Sequence, residues 1–392
     1  MSKELYLDNA ATSFPKPAAV IKAVGAGLAS FGNAGRAGHK SAFAAAMAVF
    51  EGRQMLAELF GLRDPMRVIM TYSATDALNL AINGLLKNGG HAVTTSMEHN
   101  SVARPLCALA QGGGISLSFA QGDASGIVSP DAVSRLLKKN TKLVVVNHGS
   151  NVFGVLQPIK EIGALCRKRG IPLLVDAAQT AGTVPINMET DNITLLACSG
   201  HKGLLGPTGT GILAINDEFN YKEIAPLRLG GTGSFSAELA YPDFLPDIFE
   251  SGTLNAAGIA GLTAGVRFII QRKGGVAAVH ARLQSIARAF VSAAEELVPN
   301  FVNYVQKELI QTGTVSFNVK GMSCAEAADA LEARFNIMAR QGLHCAPLAH
   351  KTLGTYPSGT IRFSFGIFNT RRDAEFAAQA VAEIAKSHYK KH

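Results

Sequence analysis

Ile193-Thr-Leu-Leu-Ala-Cys-Ser199-Gly-His-Lys202-Gly-Leu-Leu-Gly206-Pro-Thr-Gly-Thr-Gly211-Ile-Leu-Ala-Ile215 joins two short apolar runs through a lysine and a glycine-dense turn. Apolar runs of this length, bounded by turn residues, read as strands over 193–197 and 211–215. The glycines allow the backbone to bend closely around another group. A lysine in such a turn is either a solvated surface residue or an amine held against a carbonyl, where it acts as a nucleophile.

Outward from this stretch, strand-like and helical patterns alternate. Strands are expected at 67–71, 91–95, 142–147 and 171–175, with helices at 75–86, 101–110 and 159–169 between them. Short β-rich runs separated by helices predict an α/β protein with a mostly parallel sheet covered on both faces. Ligands in such sheets bind at the carboxyl ends of the strands. After about residue 260 the pattern changes. Long helices are expected at 258–272, 275–297, 323–334 and 371–388, with β-like pieces at 314–319 and 360–364, which reads as a smaller α+β domain.

The composition agrees with this reading. The chain has 392 residues, 47% hydrophobic and 17% charged, enough for a large core and for more than one domain. The opening residues MSKELYLDNAATS lack a signal peptide's apolar core, and no run of about 18 apolar residues suggests a membrane span. Cysteines 107, 166, 198, 324 and 345 are odd in number and form no CxxC pair, so neither a metal site nor a disulfide framework is expected, and a reducing cytoplasm is the natural setting. The formal charge of +8 comes from scattered basic residues, and the one dense run, Lys386 to His392, reads as a solvated helix end. Nucleic-acid binding is therefore not expected. A milder use of the charge is attraction of an anionic cofactor and an amino-acid carboxylate.

The polar residues at the expected strand ends suit one cofactor. Pyridoxal phosphate needs an anchoring lysine, an acid at its ring nitrogen, a phosphate cup, a ring-stacking partner and a clamp for the substrate carboxylate. Lys202 is the candidate anchor. Asp176, in Val175-Asp-Ala-Ala-Gln179, ends a buried strand; it is either the ring-nitrogen acid or a helix cap. Gln179 is within reach of the phenolic oxygen. Ser73-Ala74-Thr75 opens a helix, where free N–H groups favour a phosphate, or where Thr75 simply caps. His99 sits just past a strand, as a stacking ring or as a structural histidine.

The chain resembles the class V aminotransferase family of fold-type I pyridoxal-phosphate enzymes, and within it the cysteine desulfurases. The resemblance is carried by Tyr6-Leu-Asp-Asn-Ala-Ala-Thr12, Ser73-Ala-Thr75, Glu98-His99-Asn100, Ser150-Asn151-Val-Phe-Gly154, Val175-Asp-Ala-Ala-Gln179, Ser199-Gly-His-Lys202 and Phe249-Glu-Ser-Gly-Thr-Leu-Asn255, in the family's order. It implies a seven-stranded sheet in a large cofactor domain over 15–258, and a small domain formed by 1–14 with 259–392. It implies that Lys202 carries the cofactor and moves the α-proton. Asp176 would hold the ring nitrogen, Gln179 the phenolic oxygen, and His99 would stack. Ala74, Thr75, Ser199 and His201 would bind the phosphate, and Thr253 would reach the phosphate in a neighbouring subunit, so a homodimer is expected with active sites at its interface. Asn151, Arg340 and Arg362 would hold the carboxylate of a small amino acid, for which an arginine's planar fork is suited.

Arg340-Gln-Gly-Leu-His344-Cys345-Ala-Pro347 narrows the subfamily. Desulfuration needs an accessible thiolate near groups that lower its pKa. Cys345 follows a histidine in a loop marked by glycine and proline; the other four cysteines read as structural. The segment resembles the Suf-type desulfurases and selenocysteine lyases, and lacks the longer serine-rich loop of Isc-type enzymes. Ser73-Ala74, Asn100 and Leu343 depart from the usual Suf-type residues and suggest a divergent branch. The resemblance thus implies an L-cysteine desulfurase holding sulfur on Cys345 for an acceptor protein. The alternatives are a selenocysteine lyase, another C–S lyase or aminotransferase of the same fold, or an idle relay scaffold.

Overall fold

The structure is a computed structural model that describes residues 4–34, 38–234 and 237–390. Met1, Ser2 and Lys3 of the opening segment, and Lys391 and His392 of the basic tail, lie outside the described residues. After β1 (Leu5–Tyr6) come seven strands: β2 (Val68–Thr71), β3 (His91–Thr95), β4 (Ser116–Ala120), β5 (Thr141–Asn147), β6 (Leu173–Asp176), β7 (Leu195–Ser199) and β8 (Gly211–Ile215). They form one sheet in the order β2-β8-β7-β6-β5-β3-β4. Only β8 runs antiparallel to its neighbours, so the sheet is mostly parallel.

Side chains alternate across a strand, so a sheet buried on both faces needs consecutive apolar residues. Val144 and Val146 of β5 join the core on one face, and Leu143 and Val145 the core on the other. Leu196 and Cys198 of β7 divide from Leu195 and Ala197 in the same way. This is why the strands read as continuous hydrophobic runs. Polar chemistry is thereby confined to the strand ends, where Asn147, Asp176 and Ser199 stand.

Two strands begin two residues later than their apolar runs. Pro172 has no N–H, and Ile171 donates its own to Cys166, so pairing starts at Leu173. Ile193 donates to Met188 in the preceding turn, so β7 starts at Leu195. Strand β4 lies at the sheet edge and carries two serines, which is why no apolar run announced it.

The C-terminal part contains β9 (Phe301–Asn303), β10 (Thr314–Val319), β11 (Ile337–Met338), β12 (Arg340–Gly342) and β13 (Thr360–Ser364). An antiparallel sheet runs β12-β13-β10-β9 and packs on the helices Gly275–Leu297 and Arg371–Tyr389. The N-terminal segment joins this region: β1 pairs in parallel with β11, and Asp8 bridges to Ser364. Register Arg340↔Arg362 sets two arginines side by side on β12 and β13.

Phe290, fully buried on the helix Gly275–Leu297, has its ring centroid 5.2 Å from Phe317, 5.0 Å from Phe363 and 6.0 Å from Phe365. Phe290→Ala should cost about 3–5 kcal/mol of stability. A urea midpoint unchanged from the parent would contradict that packing.

Candidate active site

Lys202 follows β7 in a turn made of close approaches. A Cβ on Gly200 would lie 2.1 Å from Thr210 Oγ1, and one on Gly203 would lie 2.4 Å from the Ala181 carbonyl oxygen. The carbonyl of His201, which leads into Lys202, accepts from Ser13 N at 3.0 Å, Ser13 Oγ and Thr12 Oγ1 at 3.1 Å, and Lys16 Nζ at 2.7 Å. The lysine backbone is thus pinned by residues nearly two hundred positions earlier.

Lys202 opens into a cleft that reaches solvent at its mouth. Removal from water lowers its ammonium to about 8; Asp176 opposes that fall, and Arg362 and Arg340 add to it. A fraction of the amine is therefore neutral and nucleophilic near neutral pH. Asp176 lines the same cleft from the end of β6. Burial raises its pKa, while the Ala178 N–H, 2.9 Å from Oδ1, and Lys202 pull it back down. No helix starts here, so Asp176 is not a helix cap; its carboxylate accepts within a turn and stands near Lys202.

One end of the cleft is built around a helix start. Ser73 caps the helix Ala74–Leu86, its Oγ accepting from Asp76 N at 3.2 Å. The expected cap, Thr75, instead has its hydroxyl 2.8 Å from that of Ser101. The Ala74 N–H reaches Ser199 Oγ at 3.1 Å, and His201 Nδ1 lies 3.1 Å from Thr12 Oγ1. A Cβ on Gly211 would lie 2.5 Å from the Ser73 backbone, so only glycine lets β8 pass this close to the helix start. His99 caps the next helix, Asn100–Gln111, with Nδ1 accepting from Ser101 N at 3.0 Å. Burial, with Lys202, Arg340, Arg362 and Arg104 nearby, lowers His99 to about 4, which leaves a neutral flat ring. Burial and the two neighbouring lysines, Lys202 and Lys16, keep His201 neutral too, at about 4.

The opposite wall comes from the C-terminal part. Arg362 is 1% exposed, donates from Nη1 to the Asn151 carbonyl at 3.0 Å and pairs through Nη2 with Asp8. Asn151 Nδ2 donates to the His344 carbonyl at 2.7 Å, and Gln179 Nε2 to the Ala10 carbonyl at 3.0 Å. Cys345 is exposed, and its sulfur lies 3.8 Å from Arg340 Nη2. His344 and Cys345 both have left-handed backbone angles, φ 49° and 58°. The His344 ring is turned into the protein, 3.2 Å from Thr360 Oγ1, and burial holds it neutral, near 2. Arg340, not the adjacent histidine, is therefore the cation facing the thiol.

Ala74, Thr75, His99, Asn151, Asp176, Gln179, Ser199, His201, Lys202, Arg340 and Arg362 share this one cleft, drawn from strand ends far apart in sequence. Thr253 does not line it within one chain; it is exposed in the segment after the buried Arg53–Glu250 pair. Sequence reasoning gave no role to Asp8, Thr12, Ser13 or Lys16, although two of them lie within the quoted Tyr6-to-Thr12 motif. It also gave none to Glu98. Glu98 is fully buried and raised to about 8 by that burial, and it accepts from Thr95 Oγ1 at 2.6 Å and Asn147 N at 3.1 Å.

These groups fit pyridoxal phosphate: a helix start and hydroxyls for the phosphate, a neutral ring for stacking, a buried carboxylate for the ring nitrogen, and a depressed lysine for the carbonyl. The family model for Aminotransferase class-V matches residues 5–376. A probable cysteine desulfurase of Pyrococcus abyssi is 33% identical over 98% of this chain and 94% of its own. One from Methanothermobacter thermautotrophicus is 31% identical over 97% of this chain and 94% of its own. The apo structure of a cysteine desulfurase from Thermococcus onnurineus NA1 superposes with a TM-score of 0.89, at 32% identity, over 98% of this chain and 95% of that one.

In cofactor-free protein, acetylation of Lys202 followed by peptide mass spectrometry should show a rate midpoint near pH 8. Asp176→Asn removes the charge that favours the ammonium, so the midpoint should move lower. An upward move would contradict this account of the site.

Proposed function

The chain belongs to the class-V aminotransferase family, and from that premise we propose that it is a pyridoxal-phosphate-dependent cysteine desulfurase, converting L-cysteine to L-alanine with the sulfur kept on Cys345. The observation that carries this reading is an exposed thiol beside Arg340, a residue that lines the cleft holding Lys202 and Asp176. Bound pyridoxal phosphate supplies a carbonyl for the amine and an electron sink for the carbanion.

The chain's own residues do the rest. Lys202 carries the cofactor and moves the substrate's α-proton through Nζ. Asp176 holds the ring nitrogen, Gln179 the phenolic oxygen, and His99 covers the ring. Ala74, Thr75, Ser199 and His201 hold the phosphate. Arg362, Arg340 and Asn151 hold the substrate carboxylate. The Cys345 thiolate forms an S–S bond to the substrate sulfur as the C–S bond breaks. The electron pair of that bond goes to carbon, which takes up a proton, and L-alanine departs. The sulfur remains as a Cys345 persulfide for an acceptor. Only residues 343–346 separate β12 from the helix Pro347–Thr352, a short cysteine loop that supports the Suf-type reading. The five cysteines are unpaired, which suits a reducing cytoplasm, and no helix among the described residues is long and apolar enough to cross a membrane.

We infer a homodimer as the working form. Leu28 and Phe43, 76% and 68% exposed, stand with Ile21 and Met47 on the helices Ala18–Ser30 and Lys40–Phe60 as apolar side chains open to solvent. Single exposed apolar residues are ordinary, but several on adjoining helices mark an interface. The domain division 15–258 against 1–14 with 259–392 is kept as part of this reading, supported by the β1–β11 pairing.

Cys345→Ala should abolish alanine and sulfide formation from L-cysteine, because the nucleophile that takes the sulfur is gone. Selenide from L-selenocysteine with no sulfide from L-cysteine in the parent enzyme would instead make it a selenocysteine lyase. Sedimentation equilibrium should return twice the chain mass, with Leu28→Glu and Phe43→Glu together giving the single chain; a monomeric parent would refute the dimer.

A further inference from the structure

The carboxylate clamp is already engaged by the chain itself. Arg362 is 1% exposed, and among the described residues its ionic partner is Asp8. The second clamp group, the Asn151 amide, donates to the His344 carbonyl at 2.7 Å. Asp8 does not reach Arg362 by chance of rotamer. The β1–β11 pairing and the Asp8–Ser364 bridge hold its backbone beside the strand that carries Arg362, and Ser364 N donates to the Leu7 carbonyl at 2.7 Å.

We propose that Asp8 is a built-in stand-in for the substrate carboxylate and sets the affinity of the clamp for carboxylates. This rests on Arg362 receiving the substrate carboxylate, as proposed above. A guanidinium buried this deeply is costly without an anion, so Asp8 keeps it charged and oriented while no ligand is bound. An incoming carboxylate then either displaces Asp8 or shares Arg362 with it. Both routes cost free energy: the first takes the anion from a buried guanidinium, the second sets two like charges on one cation. A ligand that offers only a carboxylate is therefore bound weakly. An α-amino acid would also be held through its amine on the cofactor, in place of Lys202, and so overcome the competition. Asp8 thus makes occupancy depend on two-point recognition, and it explains why the Tyr6-to-Thr12 motif reaches the cleft at all.

The test uses cofactor-loaded enzyme and two one-point probes, propionate and ethylamine, titrated calorimetrically. Asp8→Asn keeps an oxygen that accepts from Arg362 Nη2 but removes the charge; it should tighten propionate about tenfold, a change of about 1.4 kcal/mol, and leave ethylamine unchanged. Asp8→Ala, run alongside, should also tighten propionate. The gain should vanish in Asp8→Asn/Arg362→Gln. Unchanged or weaker propionate binding in the folded single variants would overturn the proposal, and so would an equal gain for ethylamine or a gain that survives loss of Arg362. None of these readings depends on turnover. A parent enzyme that makes no alanine from L-cysteine would count against the desulfurase assignment alone.

Discussion

Everything in this molecule follows from burying both faces of a mostly parallel sheet. Valines and leucines at successive positions of β5, β6 and β7 serve two separate cores, and none of these three strands carries a charge in its middle. The strand ends are where polar side chains remain affordable, and the chain's candidate chemistry gathers there. Asp176 ends β6, Ser199 ends β7, Asn147 ends β5, and Ser73 and His99 cap the helices that follow β2 and β3. The helix starts add N–H groups aimed at the same space, which suits an anionic group.

The cleft so formed concentrates charge in a poorly hydrated setting. Asp176, Arg362 and Arg340 act on the Lys202 ammonium, Lys202 acts on Asp176, and Asp8 and Arg340 act on Arg362. Desolvation is the largest cause for both Lys202 and Asp176, and it favours the neutral form of each. The histidines nearby are all held neutral, with His99, His201 and His344 pushed below their ordinary range. Cation chemistry in the cleft therefore belongs to the lysine and the arginines, while the histidines act as flat rings and hydrogen-bonding groups.

The N-terminal segment, expected to join the C-terminal part, links two halves of the site. Its short strand is tied to β11, and from there it reaches two parts of the site at once. Asp8 meets Arg362, and Thr12, Ser13 and Lys16 converge on the His201 carbonyl next to Lys202. One strap thus fixes the group that would carry the cofactor relative to the group that would hold the substrate.

Much of this was legible in the chain itself. Apolar runs flanked by turn residues mark buried strands, and helical periodicity recovered 275–297 without error. Lys202, Asp176 and His99 stood out by their places just after apolar runs, whereas Arg362 was named only through the family resemblance. The sequence by itself therefore determined the α/β class and named the candidate groups of the cleft. It could not show the polar edge strand β4, the three-residue β12, or that Ser73 rather than Thr75 caps its helix, because those depend on pairing partners and on backbone angles. Nor could it show that the His344 ring turns inward beside Thr360 while Cys345 faces solvent and Arg340. Above all it could not bring Asp8 to Arg362, 354 positions apart. Contacts of that separation carry no local periodicity; only the closing of the C-terminal sheet against the first strand decides them.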